Sequence, residues 1–385
     1  MPKEPIVKSL TVRNLLSFGD DSEPIELRNL NILIGPNGSG KSNLIEVIGL
    51  LQSAPKDLAR AINAGGPIEE WLWKGVSKTP PTASIEAVVN RTNSEIALRY
   101  RLDFARAADY RFEITNELID GDDGGLFFRR SPFMLSRHGT VAFDWTKLDR
   151  QASILAKLKD PEHYPVITDL GELFSMFRLY RGWEFGTGAH FREPCDVGLE
   201  KAFLEEDGSN LGVVLDWLLS QPPVKHELIE SLRTFLDGTK DIRTSIIGSR
   251  VQTRLEEAGL AGTIPLNRVS DGTARWLALL AILLNPDLPA LVCIEEPELG
   301  LHPDMVHEIA ELLIAASERM QLIITTHSDK LIEHFTEMPD AVIVCEKEEG
   351  ASRLRCLDAS ELSAWLQDYS LGQLWRKGHI GGNRW

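Results

Sequence analysis

Residues 31–46 read NILIGPNGSGKSNLIE, and the fold turns on how that stretch is taken. NILI is a short apolar run of the kind a strand buried on both faces requires. GPNGSG is a string of turn formers, and KSNLIEVIGLLQ (41–52) brings apolar residues back at helical spacing. Between strand and helix, Gly35-Pro36-Asn37-Gly38-Ser39-Gly40-Lys41-Ser42 fits G-x-x-x-x-G-K-[ST]. The glycines let the backbone curl so that successive N–H groups face one point, and the start of the helix adds a partial positive charge. Asn37, Gly38, Ser39, Gly40, Lys41 and Ser42 then form a cradle for phosphates. Lys41 reaches the β- and γ-phosphates, and the Ser42 hydroxyl can ligate Mg²⁺. An ordinary glycine turn is the competing reading, and the flanking strand and helix weigh against it.

A second stretch, LVCIEEPELGLHP (291–303), runs an apolar strand into Glu295 and Glu296, then turns through Pro297 and Gly300 to His302 and Pro303. Adjacent carboxylates repel each other and gain nothing from burial, so a positive or hydrated group is expected in front of them. A magnesium–triphosphate meets that need. One carboxylate at a strand end holds the metal's water shell and a second orients the attacking water. By position Glu295 takes the metal role beside Ser42, and Glu296 the general-base role. A solvated acidic turn is the plain alternative, and the upstream phosphate loop tips the balance.

Two further pieces fit the same chemistry. LIITTHSDK (322–330) is an apolar strand ending in Thr325-Thr326-His327, with Ser328 placed to cap the next helix. A histidine there can hydrogen-bond a γ-phosphate, which sets His327 beside Glu296 and Lys41 as a catalytic candidate. RVSDGTARWLALLAILLNP (268–286) places Ser270, Asp271, Gly272 and Thr273 at the start of a helix that Asn285-Pro286 ends. Ser270 Oγ and the free N–H groups form a second candidate anion nest; a simple N-cap is the competing reading.

The rest of the chain is organised around these stretches. IVKSLTV, PIEL and NILI predict three short strands over residues 6–34. Ile96, Leu98, Tyr100, Leu102 and Phe104 alternate with polar or small residues, the period-2 signature of a half-exposed strand, and SIEAVV and RFEITNELI around it extend this to an antiparallel meander. Residues 145–245 read as largely helical. The last third alternates helix 273–284, strand 290–294, helix 303–319, strand 321–325, helix 328–335 and strand 341–345, a rhythm that predicts a parallel sheet.

Composition sets bounds. The 385 residues are 43% apolar and 25% charged, ordinary for a chain that buries a full core. Net charge is −16, from 41 basic and 57 acidic residues, which argues against broad sequence-blind adhesion to nucleic acid and leaves room for a local basic groove. Cys195, Cys293, Cys345 and Cys356 have no CxxC spacing and read as reduced core thiols. MPKEPIVKSL lacks an apolar signal core, and no apolar run approaches the roughly 18 residues of a membrane span. A cytoplasmic protein with no membrane partner is expected.

With all pieces in order, the chain resembles the ABC-type ATPase superfamily, in the branch of the RecF recombination protein, SMC-like heads and the ATPase part of OLD-family nucleases. GPNGSGKS (35–42) matches Walker A, VSDGT (269–273) the signature, LVCIEEPE (291–298) Walker B, LGLHP (299–303) the D-loop and TTHS (325–328) the switch histidine. VRNLLSFGD (12–20) resembles the opening of these ATPases. The resemblance implies an α/β fold, a P-loop NTPase of ABC-ATPase head type. Its parallel core sheet would carry an antiparallel N-terminal meander and a helical insertion, with an N-terminal lobe over 1–144, the insertion over 145–245 and a C-terminal lobe over 246–385. It implies ATP and Mg²⁺ as cofactors and a homodimer that sandwiches ATP. Ser270, Asp271 and Gly272 of one copy would close on the γ-phosphate held by Lys41 of the other, with His302 near the interface. DNA and a separate nuclease or other effector are the implied partners, in DNA repair or anti-phage defence.

The departures are informative. Glu295 stands where many ABC ATPases have Asp, and the signature reads SDGT, which points away from transporter cassettes. Gln52 follows Walker A too closely for a Q-loop glutamine, and only residues 358–385 remain after the last strand, too few for a Toprim nuclease domain. A transporter-type cassette and a non-hydrolysing ATP-bound scaffold are the alternatives. FRLYRGWEF (177–185) interleaves arginines with aromatics, as a strand-stacking surface does, against an amphipathic segment with its aromatics inward. The tail LGQLWRKGHIGGNRW (371–385) reads as a docking element for this chain or a partner.

Overall fold

A computed structural model describes residues 4–75, 82–91, 94–131, 134–137, 149–184, 186 and 188–382. They form two compact units: the first holds the chain to Arg178, Ala290–Val292 and everything from Met320, and the second holds Leu179–Pro289 and Cys293–Arg319.

The first unit carries two sheets. One is antiparallel and seven-stranded, in the order Ile25–Glu26, Val7–Arg13, Ala83–Arg91, Ser94–Arg106, Phe112–Gly121, Leu126–Ser131, Met134–Arg137. The period-2 pattern decides its faces. Leu98, Tyr100, Leu102 and Phe104 are buried while Arg99 is exposed. The other sheet runs Ala351–Cys356, Val342–Glu348, Leu30–Ile34, Gln321–Thr325, and then the strands that Ala290–Val292 and Phe177–Arg178 bring into this unit. Leu30–Ile34 is paired in parallel on both sides, Ile32 opposite Ile324 and Leu33 opposite Ile343, and all five of its residues are buried.

The three strands expected over 6–34 are present, divided between the sheets. IVKSLTV and PIEL serve the antiparallel one, and NILI the parallel one. Gln321 ties the two together. Its amide accepts from the Val7 N–H at 2.8 Å and donates to the carbonyls of Val7 at 2.8 Å and Arg28 at 3.0 Å. A buried amide satisfied on both ends fixes register as well as adding stability.

The second unit has a small antiparallel sheet in which Arg250–Glu257 pairs with Thr239–Ile247 along one edge and with Cys195–Asp196 and Thr263–Pro265 along the other. Helices Leu211–Leu219, Pro222–Phe235, Asp271–Leu283 and Val306–Ser317 belong to the same unit. Trp276 anchors them, fully buried, stacked on Phe235 at 6.1 Å and donating its indole N–H to the Ser231 carbonyl at 3.1 Å.

Within 145–245 the structure has helices Ile154–Lys157, Pro165–Ser175, Leu211–Leu219 and Pro222–Phe235, and also the strand Phe177–Tyr180. FRLY is too short for periodicity to tell strand from helix, so the pattern missed it. The helix expected over 303–319 is a 3₁₀ turn, Pro303–Met305, followed by helix Val306–Ser317; short 3₁₀ turns are common at helix starts. Among the described residues no helix is long and apolar enough to cross a membrane.

Glu117 is a buried carboxyl in the first unit. It is fully buried and accepts from Tyr100 Oη at 2.9 Å, Ser153 Oγ at 2.6 Å and the Ile154 N–H at 3.0 Å. Burial pushes its carboxyl above the usual range, although those donors pull the other way. A raised folded-state value means stability fully present below the unfolded carboxylate range and lost as pH rises through the raised one. Glu117→Gln should therefore flatten the decline of stability with pH seen in urea melts of the parent. Glu117→Ala should cost about 3 kcal/mol through three stranded donors; an unchanged midpoint would refute the assignment.

Candidate functional site

The phosphate loop lies wholly in the first unit and is shaped by its strand. Gly35 ends Leu30–Ile34 at φ 152°, and a Cβ there would sit 2.2 Å from the Cys345 carbonyl, so no side chain fits where the neighbouring parallel strand passes. Gly40, at φ 107°, caps the helix Lys41–Ser53. Lys41 is 6% exposed, and its ammonium donates to the carbonyls of Gly35 at 2.7 Å and Pro36 at 3.1 Å. Asn37, Gly38 and Ser42 are exposed, and a Cβ at Gly38 would meet nothing within 4 Å. Ser39 Oγ is buried with no hydrogen-bond partner among the described residues. A glycine-rich turn exposed at Asn37 and Gly38, leading into a helix start, with a lysine held at its edge, suits a polyphosphate.

Two polar contacts steady the helix behind the loop. Asn43 Nδ2 donates to Ser17 Oγ at 2.7 Å, and Ser352 Oγ to the same hydroxyl at 2.6 Å. That ties the SFGD turn and the strand Ala351–Cys356 to the first helical turn. Gln52 bonds the Phe177 carbonyl at 2.9 Å, a structural contact that fits its place too close to the loop to sense nucleotide. His327 follows the strand Gln321–Thr325 in this same unit and is exposed. Ser328 caps the next helix as its sequence position predicts, accepting from the Leu331 N–H at 3.2 Å.

The acidic and signature residues lie in the second unit. Glu295 ends the strand Leu291–Glu295 half-buried, with Oε1 shielded from solvent and lacking a hydrogen-bond partner among the described residues. Such an oxygen invites a cation's water shell. Glu296 takes φ +46°, a left-handed conformation rare for a residue with a Cβ and often found where a site stores strain. Ser270 caps helix Asp271–Leu283, accepting from the Thr273 N–H at 3.1 Å, so the capping reading of this hydroxyl is realised. Gly272 lies beside the turn after Glu296, where a Cβ on it would be in ordinary contact with the Gly300 carbonyl at 3.4 Å. Leu299, in that loop, is 58% exposed, and exposed His302 accepts from the Asp304 N–H at 3.3 Å.

Residues 30–333 match the family described as "AAA domain, putative AbiEii toxin, Type IV TA system". The chain belongs to this family. Its structure is similar to the SMC head bound to the C-terminal winged-helix domain of ScpA, with a TM-score of 0.59 at 16% identity, over 93% of this chain and 99% of that one. A Pyrococcus furiosus SMC head with an extended coiled coil, bound to the C-terminal domain of ScpA, gives 0.58 at 13% identity, over 94% and 99%. In sequence, 95 residues are 33% identical to the chromosome partition protein Smc of Mycolicibacterium paratuberculosis and, equally, to that of Mycobacterium tuberculosis. Those matches take in 24% of this chain and 7% of the length of either relative. The fold of this AAA domain is that of an SMC-head P-loop ATPase, an ABC-type α/β head.

Sequence reasoning missed two arginines of this AAA domain, both in the second unit. Arg192, 8% exposed, pairs with Asp271 and donates to the Val269 carbonyl, so the signature's carboxylate is engaged within its own chain. Arg275 is 7% exposed, lies over the Trp183 ring at 5.4 Å and donates to the Glu296 carbonyl at 3.0 Å. Burial lowers its pKa, while the charges of Glu298 and Glu296 oppose that shift. The available signal was a guanidinium inside the apolar run TARWLALLAILL, where burial demands partners. In FRLYRGWEF, Tyr180 is buried with its hydroxyl on the Leu204 carbonyl at 2.9 Å, and Trp183 packs edge-on against Tyr180 and Phe191. These aromatics face inward, and the strand-stacking reading is withdrawn; Phe185 lies outside the described residues. The four cysteines are free thiols, and burial pushes that of Cys345 up to about 12.

Removing Arg275 strands the carbonyl of a left-handed residue and opens a gap beside Trp183. Arg275→Ala should lower unfolding free energy by about 2 kcal/mol in guanidinium titrations, with Arg275→Lys intermediate because the planar fork is lost. A change below about 0.5 kcal/mol, the scale of an ordinary surface substitution, would remove Arg275 from this role.

Proposed function

We propose that this chain is an ATP-hydrolysing switch that works as a homodimer sandwiching two nucleotides. The observation that carries the reading is the phosphate loop, open at Asn37 and Gly38, with the Lys41 ammonium held at its edge by two carbonyls. Lys41 exchanges those carbonyls for the β- and γ-phosphates, and the loop N–H groups bind the remaining oxygens. The exposed Ser42 hydroxyl is a ligand type that Mg²⁺ keeps beside phosphates, and Glu295 Oε1, without a hydrogen-bond partner among the described residues, is an oxygen of the kind that holds a metal's water shell. Bound Mg²⁺ supplies charge neutralisation at the β- and γ-oxygens. Glu296 orients the attacking water and accepts its proton, and His327 hydrogen-bonds the γ-phosphate.

The second copy contributes Ser270, Asp271 and Gly272. Ser270 Oγ already serves its helix, so the N–H groups of the first turn carry more of the phosphate binding than the hydroxyl does. Exposed Leu299 and His302 belong on the dimer face. The family description, which names a toxin–antitoxin system, favours anti-phage defence over DNA repair as the setting. Solved SMC heads bound to ScpA support a separate protein effector, such as a nuclease, as the output. The net charge of −16 leaves contact with DNA to a local groove, and the setting proposed with it is the cytoplasm.

Light scattering of Glu296→Gln tests this directly. Its solution mass should double on adding Mg-ATP and stay at one chain without it, while Glu296→Gln combined with Lys41→Ala should stay at one chain in both. A mass indifferent to Mg-ATP would sink the sandwich for the isolated chain.

A further inference from the structure

The segment Ser370–Gly382 has no part in the chemistry above, yet it is fastened to the phosphate loop and to the helix behind His327. Its helix, Leu371–Arg376, opens with a full capping box formed by Ser370 and Gln373. It packs on the helix Asp329–Glu333, which Ser328 caps directly after His327. Arg376 pairs with Asp329 at 3.1 Å and with Glu333 at 3.4 Å, and the Leu371 N–H donates to Thr336 Oγ1 at 3.2 Å. Beyond the helix, buried Ile380 accepts from Arg355 at 3.0 Å and the chain turns through Gly381 and Gly382. The Gly382 N–H donates to Glu346 Oε1 at 2.9 Å, and its carbonyl accepts from the Trp375 indole at 3.1 Å. A Cβ on Gly382, already at φ +70°, would lie 2.9 Å from Val344 Cγ1 and 3.5 Å from the Gly35 Cα. Gly35 is the residue whose carbonyl holds the Lys41 ammonium.

We propose that Ser370–Gly382 is a positioning brace of the nucleotide site, in which Gly382 sets the entry to the phosphate loop and Arg376 sets the helix behind His327. The inference rests on the ATPase reading above and adds how the two parts of that site are held in register. Gly382 is hydrogen-bonded to Glu346 and Trp375 and packed beside Gly35, whose carbonyl holds Lys41, while a pair of ion pairs links Arg376 to the segment after His327. Gly382 and Arg376 are bonded to other residues of the chain, and in this brace each acts through another. The Arg376 pairs are more than half exposed on the arginine side and add little to stability. A kinetic effect on losing them therefore reports position.

The test uses the full chain, with steady-state ATPase kinetics and melting of the nucleotide-free protein measured together. Gly382→Val should raise KM for ATP about tenfold through a displaced Gly35 and Lys41, with Gly382→Ala between it and the parent. Arg376→Ala should lower kcat about fivefold at nearly unchanged KM, and Arg376→Lys should restore most of it. Kinetic constants within twofold of the parent in every variant, or losses that follow the fall in melting temperature alone, overturn the brace. If the unmodified chain neither binds nor hydrolyses ATP, the ATPase reading itself fails and the brace with it. If Lys41→Ala abolishes binding while Gly382→Val binds as the parent does, only the brace fails.

Discussion

The pairing of Leu30–Ile34 between two parallel neighbours is the constraint on which the nucleotide site depends. A strand hydrogen-bonded on both edges and buried on both faces cannot shift register without moving its whole apolar set. Its last bond with Val342–Glu348 brings the Cys345 carbonyl against the Gly35 backbone, and the chain must leave the sheet there through a residue without a side chain. The phosphate loop begins at that point because nowhere else could it begin. Lys41 then folds back onto the carbonyl of the residue that started the turn, which closes the loop on its own strand.

The same economy explains why two carboxylates stand side by side. Glu295 keeps the strand conformation, whereas Glu296 turns left-handed at φ +46°. The reversal redirects the chain between them, so neighbouring residues can serve different tasks. A left-handed glutamate costs of order 1–3 kcal/mol and persists only where its surroundings over-determine it. Arg275 is one such determinant, with its guanidinium on the Glu296 carbonyl. The helix that begins with the signature thus steadies the residue assigned to proton transfer, within one unit of one chain.

Much of this was legible in the sequence, for identifiable reasons. The phosphate loop was readable because strand, glycines, lysine and helix are all local, and the strand Gln321–Thr325 because the short apolar run Leu322-Ile323-Ile324, rich in β-branched residues, sits between polar flanks. The alternation from Ile96 to Phe104 gave the meander directly. What escaped was non-local. FRLY is too short to declare itself, and its strand exists because a sheet edge receives it. Arg192 and Arg275 gain meaning from Asp271 and Glu296, between 21 and 79 residues away. The tail looked like a docking element from its tryptophan and glycines, but its target at Gly35 lies across the whole chain, where no local pattern could point.

The lysine that gives the loop its charge also bears on how an acidic protein would hold the triphosphate proposed for it. Net charge of −16 raises a general barrier to a polyanion, so the attraction has to be local. Lys41 is almost wholly buried and keeps its ammonium bonded to two carbonyl dipoles. Each such charged hydrogen bond contributes about 1.5–3 kcal/mol, and a ligand that draws the ammonium away must replace it. A phosphate oxygen carrying full charge, reinforced by the loop N–H groups, can do so; a neutral oxygen cannot. The ordering of the lysine side chain is already complete in the folded protein, which spares binding that entropy. In the ATPase proposed above, selectivity for a polyphosphate would follow from how firmly the loop keeps its lysine, and that firmness comes back to the Gly35 carbonyl and the strand that fixes it.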